Sequence, residues 1–249
     1  MADIDRLIEL LCDESGKIPQ ELSDERKPEY FRALCNVRPP FPVSEEFLAL
    51  QDEYLTELTE KRGVTDVKNL KYKGGVALYR GDITTLNADV IVNAANSAML
   101  GCFCPLHNCI DNVIHSAAGV QVRLDCNDIM KGREAENGEA IVTKAYNLPS
   151  KFIFHTVGPI VDGQVTAQNE ADLRKCYLNC LAKADEMKLK NIAFCCISTG
   201  VFGYPKEEAA KVAVGSVKNY LERNKSGIEV IFNVFTERDY DIYKRLLAY

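Results

Sequence analysis

Apolar residues recur at helical spacing in two segments near the start of the chain. The first segment has Ile4, Leu7, Ile8 and Leu11, and the second has Phe47, Leu50, Tyr54, Leu55 and Leu58. The sequence RPPFP at residues 38–42 lies between them, and proline does not fit the interior of a helix. We therefore predict a helical N-terminal region, in which Ser44 caps the start of the second helix and Gly63 ends it.

The pattern changes after Lys73-Gly74-Gly75, where short apolar runs begin to alternate with amphipathic segments. This alternation predicts an α/β fold, a layered sheet with helices on both faces. We expect strands at residues 76–79, 90–92, 140–143, 152–157, 192–197 and 229–235. We expect helices at residues 110–118, 173–184, 205–221 and 239–247.

Composition and charge argue against several classes of protein. The chain has 249 residues with a net charge of −6, which argues against a basic nucleic-acid-binding surface. Its apolar runs are strand-length, so we expect no membrane span, and MADIDRLIEL is too acidic for a signal peptide. We therefore expect a cytoplasmic protein whose ten cysteines are thiols or metal ligands rather than disulfides.

Three loops that follow strands carry the candidate chemistry. They lie at residues 81–84, 93–101 and 198–205. The third loop is glycine-rich and precedes a helix that begins near Pro205, so its backbone N–H groups and the helix dipole favour an anion such as a diphosphate. Such loops are often only tight turns, so this feature alone is weak.

The combination of segments is more specific. GDIT at 81–84, NAAN at 93–96, IHSAAG at 114–119 and ISTGVFGYP at 197–205 resemble the macrodomain family. The resemblance covers residues 74–249 and leaves residues 1–73 as a helical extension. It implies a three-layer α/β/α fold with a mixed central sheet and a cleft that binds ADP-ribose.

The resemblance also implies roles for individual residues. Asp82 and the Ile83 backbone would recognise adenine, Phe235 would stack on it, and Asn96 would face the distal ribose. The other substrate-binding residues would be Asn93, Ile110, Ser198, Thr199, Gly200, Val201, Phe202 and Gly203. Each assignment has a structural alternative: Asp82 as a turn residue, Phe235 as a core aromatic and Asn93 as the cap of a strand end.

The second loop continues into an unusual sequence, GCFCPLHNCID at residues 101–111. Three cysteines and one histidine occur within eight residues, and thiolates with imidazole suit zinc better than magnesium or calcium. Cys109 stands at the start of the predicted helix 110–118. We expect the positive end of that helix to lower the pKa of the Cys109 thiol.

This sequence resembles the zinc-dependent branch of the macrodomains, with the pattern G-C-x2-P-x-H-x-C-I-D. The resemblance implies one Zn²⁺ per chain, held by Cys102, His107 and Cys109. Cys104 is off the pattern but near enough to be a fourth ligand. Four protein ligands would make a closed structural site, whereas three would leave a position open for catalysis. Reduced loop cysteines without metal are the third alternative.

Asp111 and Asn96 are the candidate catalytic residues by the same resemblance. In hydrolytic macrodomains an acidic residue at the position of Asp111 helps to position or activate water near the distal ribose. A carboxylate in a first helical turn is also stabilised by the helix dipole, so a structural role stays open. We interpret His115 as a satisfied structural histidine, and His155 as a core or strand-end residue.

The resemblance implies a zinc-dependent hydrolase that removes single ADP-ribose units from modified, acidic side chains of a protein. The alternatives are a non-catalytic ADP-ribose-binding module with a structural zinc, and an ADP-ribose phosphoesterase. The N-terminal region is similar to the extensions of the zinc-dependent branch. That branch is associated with a sirtuin-type transferase and a lipoyl-carrier protein as target. We expect a monomer.

Overall fold

Three helices form the N-terminal region in the computed structural model, which describes residues 3–16 and 22–248. They are α1 (Ile4–Ser15), α2 (Lys27–Val37) and α3 (Glu45–Arg62). The Phe47 N–H donates to Ser44 Oγ, and Gly63 follows α3 with a φ of +83°, so both predicted ends of this helix are confirmed. The sequence analysis did not predict α2 as a separate helix.

A seven-stranded mixed sheet forms the centre of the molecule, in the order β2-β3-β9-β8-β5-β7-β6. β2 and β6 are antiparallel to their neighbours and the other pairings are parallel. The strands are β2 (Tyr72–Lys73), β3 (Val76–Arg80), β5 (Val90–Ala95), β6 (Ala140–Lys144), β7 (Phe152–Val157), β8 (Asn191–Phe194) and β9 (Glu229–Val234). Two further short strands, β1 (Thr65–Asp66) and β4 (Leu86–Asn87), pair with each other.

Helices cover the sheet in two groups, which confirms the predicted three-layer α/β/α architecture. α4 (Ile110–Ala118) and α5 (Gln121–Met130) contact each other and the strands β5 and β6. In the second group α7 (Lys206–Asn224) contacts both α6 (Ala167–Glu186) and α8 (Glu237–Leu247). α5 was not predicted, because its apolar spacing is broken by charged and polar residues. The central strands are mostly apolar and buried on both faces, and polar residues such as Asn93 and His155 occur in their second halves.

The N-terminal helices have an apolar cluster of their own, separate from the core around the sheet. It includes Leu7, Leu11, Phe31, Phe47 and Leu55. Polar contacts join this cluster to the sheet domain, since Gln51 accepts from the Val120 N–H and donates to Gln121. The boundary between 73 and 74 stays a prediction.

None of the helices in the described part of the chain combines the length and the apolar character that crossing a bilayer requires.

The sheet order brings the candidate loops together. β3, β5, β8 and β9 are parallel, so their carboxyl ends lie at one edge, where α/β sheets bind ligands. The residues at or just after these ends are those of the GDIT, NAAN and ISTGVFGYP segments, and Phe235.

Candidate active site

A cleft of about 850 Å³ opens at this edge of the sheet. Most of the residues that we predicted for substrate, catalysis and metal line it. They are Asn96, Cys102, His107, Cys109, Ile110, Asp111, Ser198, Thr199, Gly200, Val201, Phe202 and Phe235. Asp82, Ile83, Asn93 and Gly203 are not among the lining residues.

The glycine-rich loop forms one wall of the cleft. Its ends are closed by the Tyr204 N–H, which donates to the Ser198 carbonyl, and by the Gly203 N–H, which donates to the Gly200 carbonyl. Within the described chain, the N–H groups of residues 200–202 and the buried Ser198 Oγ have no hydrogen-bond partner. Several unpartnered donors beside the N-terminus of α7 make a concave site for an anion.

Asp111 forms the centre of a polar chain at the other side of the cleft. Asn93 Nδ2 donates to Asp111 Oδ1 at 2.8 Å, and Asn96 Nδ2 donates to Asp111 Oδ2 at 3.3 Å. Asn93 Nδ2 also lies 3.1 Å from His155 Nδ1. Asn93 is fully buried at the end of β5, so it positions Asp111 instead of lining the cleft. The structure therefore joins three of the predicted residues in one network.

Burial changes the acidity of this carboxyl group. Asp111 is 5% exposed, and the loss of solvation raises its pKa to about 6, although the Asn93 amide acts in the opposite direction. A carboxyl with such a pKa exchanges a proton near neutral pH, as a general acid or base must.

The three predicted metal ligands lie together. Cys102 Sγ is 3.5 Å from His107 Nδ1, and the donor atoms of Cys102, His107 and Cys109 are all within 4.8 Å of one another. These separations suit one ion, since zinc takes thiolate and imidazole ligands at about 2.0–2.3 Å. Among the described residues Cys104 does not join this group, and its side chain is exposed. The protein thus places two thiols and one imidazole together beside the cleft, with the Cys104 thiol outside this group.

The predicted low pKa of Cys109 is wrong in this structure. Cys109 does cap α4, because its Sγ accepts from the Asn112 N–H at 3.4 Å. Burial is the larger effect, however, and it raises the pKa of the Cys109 thiol to about 11. The helix terminus by itself does not produce a thiolate here.

The predicted adenine-binding residues are divided between two environments. Phe235 is 78% exposed at the rim of the cleft, so it is not a core aromatic. Asp82 accepts from the Thr84 N–H as a turn residue and lies 3.4 Å from the Arg62 guanidinium, at the end of α3. Ile83 is buried. The sequence prediction did not include Arg62, whose side chain comes from the N-terminal region.

The sequence analysis also missed an ion pair in the cleft. Lys206 and Asp239 line it and form an ion pair of 2.8 Å between α7 and α8. Lys206 follows the glycine-rich loop in the first turn of a helix, where the dipole disfavours a cation. A lysine at that position therefore indicates, from the sequence, that an acidic side chain or a bound anion lies nearby.

A buried histidine pair lies beneath the polar chain. The donor atoms of His115, Cys126 and His155 are within 4.8 Å of one another, and all three residues are buried. His155 Nε2 lies 3.0 Å from Thr143 Oγ1, as expected of a core histidine. His115 is buried, as expected of a structural histidine, and its Nε2 lies 3.5 Å from Asp111 Oδ1, although neither ring nitrogen has a hydrogen-bond partner in the described structure.

The buried His155 makes stability depend on pH. Loss of solvation lowers its pKa from 6.5 to about 3, so below pH 6.5 the unfolded chain binds a proton that the folded chain does not. The contribution of a neutral His155 is complete above pH 6.5 and is lost as the pH falls towards 3. Relative to the His155→Gln variant, the wild type is expected to lose about 2 kcal/mol of unfolding free energy between pH 7 and pH 5. Urea unfolding at each pH measures this, and parallel pH profiles of the two proteins would contradict it.

Comparison with known proteins agrees with this architecture. The model of the Macro domain family matches residues 92–213. A protein-ADP-ribose hydrolase of Staphylococcus aureus (strain MRSA252) is 53% identical over 221 residues, which cover 87% of this chain and 83% of that protein. A protein-ADP-ribose hydrolase of Treponema medium is 47% identical, over 93% of this chain and 91% of that protein.

A solved structure shows the same fold. The Trypanosoma brucei macrodomain in complex with ADP-ribose is similar with a TM-score of 0.67 and 29% identity, over 92% of this chain and 97% of that chain. With relatives of about 50% identity over most of their length, the chain belongs to the Macro domain family.

Proposed function

We propose that this protein is a protein ADP-ribose hydrolase that removes single ADP-ribose units from acidic side chains of a modified protein and that depends on zinc. The observation that carries the proposal is the single cleft in which an anion-binding loop, a buried carboxyl group and three soft metal donors meet. The named activities of the Staphylococcus and Treponema relatives support the hydrolase class.

The donors fit a zinc ion. Cys102, His107 and Cys109 would hold it, and the exposed Cys104 thiol outside the group leaves a coordination position for water or substrate. A zinc ion held there would supply Lewis-acid chemistry: it could coordinate ribose hydroxyl oxygens, polarise the scissile bond or lower the pKa of a bound water. Three protein ligands would leave one coordination position of zinc open. This supports an enzyme rather than a binding module with a closed structural zinc.

The chain's own residues anchor and orient the substrate. The free N–H groups at 200–202 and the Ser198 hydroxyl bind the diphosphate, and Phe235 packs against the adenine ring. These remote contacts fix the distal ribose near Asp111, and a reaction gains rate when its groups are held in place.

Asp111 acts at the ribose end. Its two oxygens are held by the amides of Asn93 and Asn96, so the carboxyl group has one orientation. In the ionised form it accepts a proton from water as that water attacks the anomeric carbon of the distal ribose. The bond from this carbon to the oxygen of the modified side chain breaks, and the side chain leaves as a carboxylate. Asn96 belongs to this group both as a lining residue and as a support for Asp111.

Release of free ADP-ribose from a mono-ADP-ribosylated protein tests the proposal. We expect turnover by the zinc-loaded protein and loss of turnover after chelation, while free ADP-ribose still binds. Binding without release would favour a binding module, and release of a phosphate-containing fragment would favour a phosphoesterase. If removal of zinc unfolds the domain, the metal is structural. The resemblance makes a lipoyl-carrier protein modified by a sirtuin-type transferase the first substrate to try.

Phe235→Ala is expected to weaken ADP-ribose binding by roughly tenfold, because stacking of an aromatic ring on a base contributes about 1–3 kcal/mol. The side chain is mostly exposed, so the melting temperature is expected to stay within about 1 °C of the wild type. Calorimetric titration measures the affinity. Phe41→Ala, at an exposed phenylalanine that does not line the cleft, is the control for loss of an aromatic ring from the surface alone. Equal affinities of wild type and Phe235→Ala would remove Phe235 from the adenine site.

A further inference from the structure

The loop at residues 102–109, here called the metal-ligand loop, contacts the N-terminal helix α2. Arg32 Nη2 donates to the His107 carbonyl at 2.8 Å. Asn36 Oδ1 accepts from the Leu106 N–H at 2.9 Å. Two side chains of one helix therefore hold two consecutive residues of the loop, one of which carries the imidazole ligand.

The same two side chains also reach the helix that follows the loop. Arg32 Nη2 donates to Asn112 Oδ1 at 2.8 Å, and Asn36 Nδ2 donates to Ser116 Oγ at 2.9 Å. Asn112 in turn donates to the Cys104 carbonyl at 2.9 Å, and its N–H donates to Cys109 Sγ at 3.4 Å. Arg32 thus contacts the loop directly at His107, and through Asn112 at Cys104 and Cys109.

This network holds a loop that would not keep its shape alone. Leu106 has a φ of +55°, a left-handed conformation that is unfavourable for a branched side chain. Asn36 is 2% exposed, and it satisfies the N–H of this strained residue. Loss of either α2 side chain would free the loop to relax and to move the His107 imidazole away from the two thiols.

We propose that Arg32 and Asn36 are positioning residues that set the zinc affinity of the site. The N-terminal region then contributes to metal binding by orienting the metal-ligand loop. The inference rests on the proposed zinc dependence, yet it concerns metal binding and not the reaction. Groups that orient metal ligands through hydrogen bonds change metal affinity by roughly 10- to 100-fold.

The zinc affinity of the full-length protein tests this, measured by competition with a chromophoric chelator in the absence of nucleotide. Arg32→Ala is expected to weaken zinc binding by at least about tenfold. Arg32→Lys is expected to lose most of the same affinity, because one ammonium group does not reproduce the planar fork that reaches three acceptors. Arg26→Ala, at an exposed position at the start of α2, is the matched control and is expected to bind zinc as the wild type does.

Asn36 gives a second comparison. Asn36→Leu removes the acceptor for the Leu106 N–H, whereas Asn36→Asp keeps it, so the aspartate variant is expected to retain more zinc affinity. Binding of free ADP-ribose to the metal-free variants and their urea unfolding show whether the sheet domain is intact. A general loss of folding would weaken nucleotide binding as well, whereas a positioning role leaves it within about twofold.

The outcomes separate this inference from the proposed function. Zinc affinities of folded Arg32→Ala and Asn36→Leu within twofold of the wild type would overturn the positioning role, even if the protein hydrolyses its substrate. A wild type that binds no zinc would overturn it as well. If the variants bind zinc more weakly but the wild type releases no ADP-ribose, the positioning role is upheld and the hydrolase proposal is contradicted.

Discussion

Cys102→Ala is expected to lose stoichiometric zinc and at least about 99% of ADP-ribose release. Cys102 Sγ lies 3.5 Å from His107 Nδ1, so its removal leaves two of the three donors. Two ligands do not hold zinc tightly in a loop of this length, and the lost Lewis acid is worth several kcal/mol at the reacting bond. Metal content and the rate of ADP-ribose release from a modified protein measure the two effects on the same sample.

Cys104→Ala is the matched control, because this exposed cysteine of the same loop lies outside the donor group in the described structure. It is expected to keep both zinc and activity. A metal-free Cys102→Ala protein with normal turnover would end the zinc-dependent mechanism. Loss of zinc in Cys104→Ala would show instead that the ion has four protein ligands and that the site is closed.

Asp111→Asn is expected to reduce turnover by roughly 10²- to 10⁴-fold, the usual contribution of general acid–base catalysis, with zinc retained. The substitution keeps the size of the side chain and removes its capacity to take up a proton. It also places an amide against the amides of Asn93 and Asn96, so about 1–3 kcal/mol of stability is expected to be lost. Steady-state kinetics, zinc content and urea unfolding together resolve the three effects.

Asp89→Asn controls for the loss of a buried carboxylate. Asp89 is buried immediately before β5, at the end of that strand remote from the cleft, and it accepts from the Lys190 N–H at 2.6 Å. This variant is expected to lose stability without losing turnover. If Asp111→Asn behaves in the same way, Asp111 is a structural residue that stabilises the first turn of α4, which was the other interpretation of the sequence.

The sequence alone was sufficient for the fold class, and the resemblance of its loop segments to a family indicated most of the residues that line the cleft. Strands that are buried on both faces are mostly apolar, and the loops at their carboxyl ends carry glycine, asparagine and aspartate in the segments GDIT, NAAN and ISTGVFGYP. The C-x4-H-x-C spacing is local, so the chain itself brings Cys102, His107 and Cys109 together. Local chemistry of this kind is visible before any tertiary contact is known.

Other features depended on the tertiary structure, because they involve residues far apart in the chain or the cost of burial. The tertiary fold placed Arg62 beside Asp82, and Arg32 against the His107 carbonyl, across separations of 20 and 75 residues. It also reversed the expected pKa of Cys109, since desolvation outweighed the helix terminus. Periodicity and spacing report which residues are neighbours along an element. They do not report how much water remains around a group, or which distant helix supports the loop that carries it.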